Sequence, residues 1–271
     1  MADLSNIMKG KRGLVLGVAN DRSIAWGVAD FLHAHGAELA FTYQGEAFEK
    51  RVRPLAESVS SSIVLPCDVE QPGDQAKVFE AIGEAWGSLD FVVHSLAHSD
   101  KEELTGRYMD TTVDNFGRTM HISCFSFTET AQLARPLMAE NGGSLITLSF
   151  YGAERVMPSY NVMGVAKAAL EASVRYLAAD LGPENIRVNA LSAGPMRTLA
   201  GSAIGGARKI YRRAEANAPL RRSVTLGQLG GSAVYLLSEL SGGVTGETHH
   251  VDSGYNIIGL PYLTGDEGKD A

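Results

Sequence analysis

The stretch Gly13-Leu14-Val15-Leu16-Gly17-Val18-Ala19-Asn20-Asp21-Arg22-Ser23-Ile24 decides the fold. Residues 13–16 read as a short buried strand, Gly17 ends it, and Ser23 stands as the N-cap of the helix that follows. The same alternation continues along the chain. Apolar runs of strand length recur at 38–43, 62–65, 91–94, 144–148, 187–191 and 248–251. Between them, residues 24–35, 46–58, 72–86, 111–139, 159–181 and 226–238 place apolar side chains three or four apart, the period of a helix with one buried face. Crossovers of that length demand parallel pairing and a right-handed turn. The predicted architecture is therefore α/β: a single doubly wound Rossmann-type domain over residues 1–260 with a seven-stranded parallel sheet. The irregular segment 194–217 predicts a mobile lid, and the polar residues 261–271 a flexible tail.

Composition narrows the function classes. With 45% hydrophobic residues, 20% charged and 30 glycines among 271 residues, the chain is a compact globule rather than a disordered polymer. Its net charge of -7 argues against a nucleic-acid surface. Cys67 and Cys124 make no disulfide framework, which suits a cytoplasmic protein. The N-terminus lacks an apolar run of signal length, and no apolar stretch is long enough to insert in a membrane. The pairs His33/His35 and His249/His250 point apart on their elements, so no metal site is expected.

In a doubly wound sheet the turn from Gly17 to Ser23 lies at the carboxyl edge, where a dinucleotide pyrophosphate meets a helix N-terminus. Only Gly17 of the usual three glycines holds its place, so the turn also reads as a plain cap with no ligand. After the second strand comes Gln44-Gly45-Glu46, with no Arg or Lys to clasp a ribose 2′-phosphate. Asp68 follows the third strand, as an acceptor for an adenine amino group or as a helix cap. Tyr160 and Lys167 are seven residues apart within one periodic segment, which predicts two turns of helix between side chains on one face. An ammonium beside the phenol would favour the phenolate and strengthen the phenol as a donor to a substrate oxygen. Glycine at 164, about 1 kcal/mol worse than alanine in a helix, predicts close approach of a ligand or another backbone.

These residues sit within longer motifs: Gly17 and Ser23 as Gly-x5-Ser, Tyr43-Gln44, Cys67-Asp68-Val69, Gly152-Ala153-Glu154-Arg155, Tyr160-Asn161-Val162-Met163-Gly164 and Tyr-x6-Lys. Ser192 to Thr198 and Val251 to Tyr255 complete the set. On them the chain, from Gly10 to Ile258, resembles the enoyl-[acyl-carrier-protein] reductases, a divergent branch of the short-chain dehydrogenase/reductase superfamily.

The resemblance implies reduction of an enoyl thioester with NADH in fatty-acid elongation, with Tyr160 and Lys167 as the catalytic pair. It places Gly17, Ser23, Ile24 and Gln44 on the phosphate and ribose path, Asp68 and Val69 at the adenine, and Ser95, Leu96 and Ala97 along the nicotinamide half. Lys167 would bond the nicotinamide ribose, and Met196 and Thr198 the carboxamide end. Ala97, Phe150, Tyr160, Met163, Leu199 and Ile204 would border the acyl chain, although the lid residues also read as an ordinary helical core. Acyl carrier protein is the implied partner, met by Arg208, Lys209, Arg212 and Arg213, and the implied assembly is a homotetramer. The basic cluster reads equally as a solvated helix face.

Departures from the family pattern gather at the acyl pocket. Ser95-Leu96-Ala97-His98 adds a methyl and an imidazole where Ser-Ile-Gly-Phe is usual, Phe150 takes the place of a second tyrosine, and Ala207 stands for a larger aromatic. Tyr151 is expected to face away from the position Phe150 holds. They leave open a short-chain reductase of another carbonyl or alkene on the same scaffold. A non-catalytic NAD-sensing protein is a further alternative, opposed by the intact Tyr160 and Lys167.

The absence of a basic residue at 44–46 predicts a higher kcat/KM with NADH than with NADPH, and steady-state rates with each nucleotide check it. A reversed ratio would mean that Lys50, Arg51 or Arg53 reaches the ribose.

Overall fold

The strands β1 (Arg12–Leu16), β2 (Glu38–Tyr43), β3 (Ile63–Pro66), β4 (Phe91–His94), β5 (Gly143–Ser149), β6 (Ile186–Ala193) and β7 (Thr248–Val251) form one seven-stranded parallel sheet in the order β3-β2-β1-β4-β5-β6-β7. The computed structural model describes residues 4–198 and 207–260. Helices α1 (Ile24–Ala34), α2 (Gly45–Ser58), α3 (Asp74–Trp86), α4 (Val113–Met120), α5 (Ser126–Met138), α6 (Asn161–Leu181), α7 (Ala207–Asn217) and α8 (Leu226–Leu237) connect and cover the strands. Strand order reverses between β1 and β4, the switch point at which a doubly wound sheet opens a crevice at its carboxyl edge.

The inner strands β1, β2, β4, β5 and β6 are almost wholly buried because helices cover both faces of the sheet, whereas the edge strands β3 and β7 are only partly buried. Alternate residues serve opposite cores. Val15, Phe41, Val93, Ile146 and Leu191 pack with α1, α2 and α8, whereas Leu14, Leu16, Ala40, Val92, Leu145 and Ala190 pack with α3, α5 and α6. Arg187 locks β6 to the end of α8 by donating to the Leu236 and Ser238 carbonyls and the Ser241 hydroxyl.

The expected helix over 111–139 is divided. After α4 the chain makes one wide π turn, His121–Phe125, before α5. That turn aims the Ser123 hydroxyl at the loop after β4, where it accepts from His98 N at 3.0 Å and donates to His98 O at 3.1 Å. Wide turns of this kind recur at functional sites because they re-aim one side chain without ending the helix. Of the lid expected over 194–217, the last part is α7 and residues 199–206 lie outside the described residues, as does the tail expected over 261–271. No helix among the described residues is long and apolar enough to cross a membrane.

Candidate active site

The carboxyl ends of β1, β2, β4, β5 and β6 converge on a cavity of about 530 Å³, within the usual range for a small-molecule site. Its wall includes Gly17, Ile24, Gln44, Ser95, Leu96, Ala97, Phe150, Tyr160, Met163, Lys167, Met196 and Thr198. Ser23, Asp68 and Val69 stand outside the wall. Ser23 caps α1, its hydroxyl donating to Asn20 O at 2.7 Å and accepting from Trp26 N at 3.4 Å. The wall stops at Cys67, and the Asp68 carboxylate accepts from Glu70 N at 3.0 Å, closing a turn ahead of α3. Leu199 and Ile204 lie outside the described residues.

Gly17 is fixed by space and by backbone. Its φ is +94°, and a Cβ there would stand 2.1 Å from Ser95 O, so the β1–α1 turn runs hard against the loop after β4.

Tyr160 is not inside the helix, as its spacing from Lys167 suggests, but is the residue immediately before α6. Ser159 and Asn161 on either side both have positive φ, 57° and 34°, a strained arrangement for non-glycine residues. Asn161 is held by its side-chain amide, which donates to Glu103 O at 3.0 Å. The Tyr160 ring meets Phe150 edge-on, centroids 5.1 Å apart. Gly164 owes its place to backbone rather than ligand, since a Cβ there would lie 2.8 Å from Gly152 O. Tyr151 turns away from the cavity and packs edge-on against Tyr255.

Lys167 is buried at 5% exposure, and its Nζ donates to the Leu148 carbonyl at 2.8 Å. Burial pulls its pKa down to about 8, against the smaller opposing influence of Cys124 and Glu171. The Tyr160 phenol is pushed well above the usual tyrosine range, first by burial and then by the Glu171 carboxyl. Burial and the Glu171 carboxyl, rather than the ammonium expected from the sequence, set the direction, and both raise it. A neutral phenol keeps its proton and acts as a hydrogen-bond donor.

Sequence reasoning passed over Ser149 and Glu171. The Ser149 hydroxyl, on the cavity wall, donates to the Glu171 carboxylate. Glu171 is four residues after Lys167, so helical spacing was the signal that pointed to it. His94, at the end of β4, is enclosed between Thr147 and Ser126, and burial pushes its pKa down to about 3, leaving a neutral structural ring. His98 lines the cavity with its ring 3.7 Å from Asp100. Among the described residues no cluster of three or more His, Cys, Asp or Glu side chains is placed to hold a metal.

The depressed Lys167 pKa has a sign that stability measurements read. Between about pH 8 and the ordinary 10.5 the unfolded chain still binds the lysine proton while the folded protein has released it, so this group adds stability as pH rises through that window. Denaturant titrations of the ligand-free protein should show that gain, and Lys167→Met should abolish it.

A family model described as "Enoyl-(Acyl carrier protein) reductase" matches residues 17–256. The chain is 64% identical over 260 residues to Enoyl-[acyl-carrier-protein] reductase [NADH] 2 of Rhizobium meliloti (strain 1021), covering 96% of this chain and 97% of that one. The Anaplasma phagocytophilum reductase, solved in complex with NAD, superposes with a TM-score of 0.91 at 57% identity, over 95% of this chain and 98% of that one. The Bacillus cereus Enoyl-Acyl Carrier Protein Reductase, solved with NADP+ and indole naphthyridinone, gives 0.92 at 50% identity over 94% and 99%. A motif set that spans the whole sheet, a cavity at its switch point and relatives matched almost end to end agree: the chain belongs to the enoyl-(acyl carrier protein) reductase family.

Proposed function

We propose that this chain reduces the trans-2 double bond of enoyl groups borne on acyl carrier protein, with NADH, in fatty-acid elongation. The observation that carries the reading is the pair Tyr160 and Lys167 on one wall of a cavity at the carboxyl edge of the sheet. The cavity suits a dinucleotide. Gly17 leaves backbone, not side chain, facing it, and Ile24 presents the first turn of α1. Gln44 marks the ribose end, Ser95, Leu96 and Ala97 line the nicotinamide half, Lys167 reaches the nicotinamide ribose, and Met196 and Thr198 close the carboxamide end. Asp68 and Val69, just beyond the wall, border the adenine. The basic residues after Gln44 are committed elsewhere: Lys50 pairs with Glu46, Arg53 with Glu49, and Arg51 lies over the Phe48 ring. That supports NADH.

The nucleotide, when bound, supplies a hydride to the β-carbon of the enoyl thioester. Charge then gathers on the thioester oxygen. Tyr160, neutral because it is buried, donates to that oxygen, a contribution of roughly 3 kcal/mol for one well-placed donor. Lys167, held by Leu148 O, keeps its ammonium near the ribose and contributes positive potential. Ala97, Phe150 and Met163 form the apolar wall for the acyl chain. Acidic acyl carrier protein meets the basic α7, which carries Arg208, Lys209, Arg212 and Arg213.

A homotetramer is the proposed assembly. Val113, Phe116, Phe125, Val165 and Tyr176, on α4, the π turn and α6, expose apolar side chains to solvent. The free thiols Cys67 and Cys124 fit a reducing, cytoplasmic setting.

Tyr160→Phe should lower kcat for crotonyl thioester reduction by about 100-fold while leaving NADH affinity near wild type, because the hydroxyl acts on charge present only in the transition state. Stopped-flow absorbance and fluorescence titration measure the two quantities. Full turnover by the variant would remove Tyr160 from its role. Light scattering at micromolar concentration should give four times the 28.9 kDa chain mass, and a monomer would refute the assembly.

A further inference from the structure

Reduction of an enoyl thioester consumes one hydride and one proton. The hydride goes to the β-carbon, the α-carbon takes the proton, and the C=C bond becomes a single bond. Tyr160 directs its hydroxyl at the thioester oxygen and not at the α-carbon, so it stabilises charge without delivering the second hydrogen. A separate source is required, and the inference that follows rests on the reductase reading.

Glu171 is a carboxyl group 7% exposed in the third turn of α6, and no step given so far uses it. The two last residues of β5 are tied to two successive turns of this helix. Lys167 Nζ donates to Leu148 O, and the Ser149 hydroxyl donates to Glu171 Oε1. Ser149 faces the cavity from the other side, so one hydroxyl joins the buried carboxyl to the reaction space. Behind Glu171 the turn after β5 and strand β7 bring Glu154 and His250, whose Nε2 and Oε1 atoms lie 2.6 Å apart at partial exposure. Both influence the charge on Glu171, as does Arg175 on its own helix. Lys167 and Tyr160 complete the charged and titratable groups around it.

We propose that Glu171 is the proton reservoir of the reaction, that Ser149 passes its proton into the cavity, and that the Glu154–His250 pair recharges it from solvent. In the step itself protonated Glu171 donates to Ser149 Oγ while the Ser149 hydrogen moves into the cavity toward the α-carbon. The carboxylate left behind then takes a proton from the His250 side, so charge and proton count balance over one turnover. Burial raises the Glu171 pKa, which lets the group hold a proton that an exposed carboxyl would have lost. The Ser149 bond and the opposing charges of His250 and Arg175 act the other way and keep the proton transferable. Glu171 thus acts through Ser149 and does not itself touch substrate.

Three readouts on the intact protein test the relay. Infrared titration of the ligand-free wild type should show a protonated-carboxyl band that is absent from Glu171→Gln. The kcat of the wild type should fall with rising pH in step with the loss of that band, because the acid form does the work, and Glu171→Gln should lack that limb. Its kcat should drop about 100-fold with a larger solvent deuterium isotope effect and unchanged NADH affinity by fluorescence. Ser149→Ala, which keeps the carboxyl, should retain the infrared band yet lose the rate, and it carries the test if Glu171→Gln does not fold. A Glu171→Gln or Ser149→Ala enzyme with the wild-type pH profile and isotope effect overturns the relay alone. Wild-type protein that binds NADH but reduces no enoyl thioester overturns the reductase reading and the relay together.

Discussion

A lysine ammonium buried at 5% exposure and held by a single strand carbonyl is the constraint on which the site depends. Lys167 Nζ on Leu148 O fastens α6 to the carboxyl end of β5, and through α6 it sets the place of Tyr160 one residue ahead of the helix. The arrangement is costly, because an ammonium loses water that one carbonyl does not replace. Its lowered pKa expresses that cost in a form a bound ribose would relieve by offering hydroxyl acceptors.

The same helix explains why the phenol remains neutral. Tyr160 is enclosed by Phe150, Gly152 and Met163, and its nearest charged influence is the Glu171 carboxyl rather than the ammonium. Desolvation and a carboxylate both favour the protonated phenol, so the residue is prepared as a donor to an oxygen that gains charge. Ser159 and Asn161, both with positive φ, flank it on either side.

Across the cavity, the loop after β4 is set by a helix that departs from regular geometry. The π turn gives Ser123 the reach to bond both backbone groups of His98, and Asn115 Oδ1 accepts from Asp100 N two residues on. Ala97 and His98 therefore stand on a braced segment rather than a free loop, which makes them determinants of pocket shape. The apolar Phe150 edge completes a wall to which Ser149, Tyr160 and Lys167 bring polar groups.

The alternation of strand and helix was legible in the chain because both periods, two and 3.6, follow from local backbone geometry. The cap at Ser23 and the turn at Gly17 were readable for the same reason, whereas the spacing of Tyr160 and Lys167 predicted one helix and the fold sets Tyr160 just ahead of it. The family resemblance added residue roles that spacing alone leaves open. What local pattern does not contain is the chain's approach to itself from a distance. Only the fold brought Ser149 from β5 against Glu171 on α6, set Gly152 under Gly164, and turned Asp68 into its own turn rather than onto the cavity wall. Burial, too, is a tertiary quantity. Sequence placed an ammonium near a phenol as an influence that favours the phenolate and sharpens the donor, whereas the packed structure removes water from both groups and raises the phenol pKa.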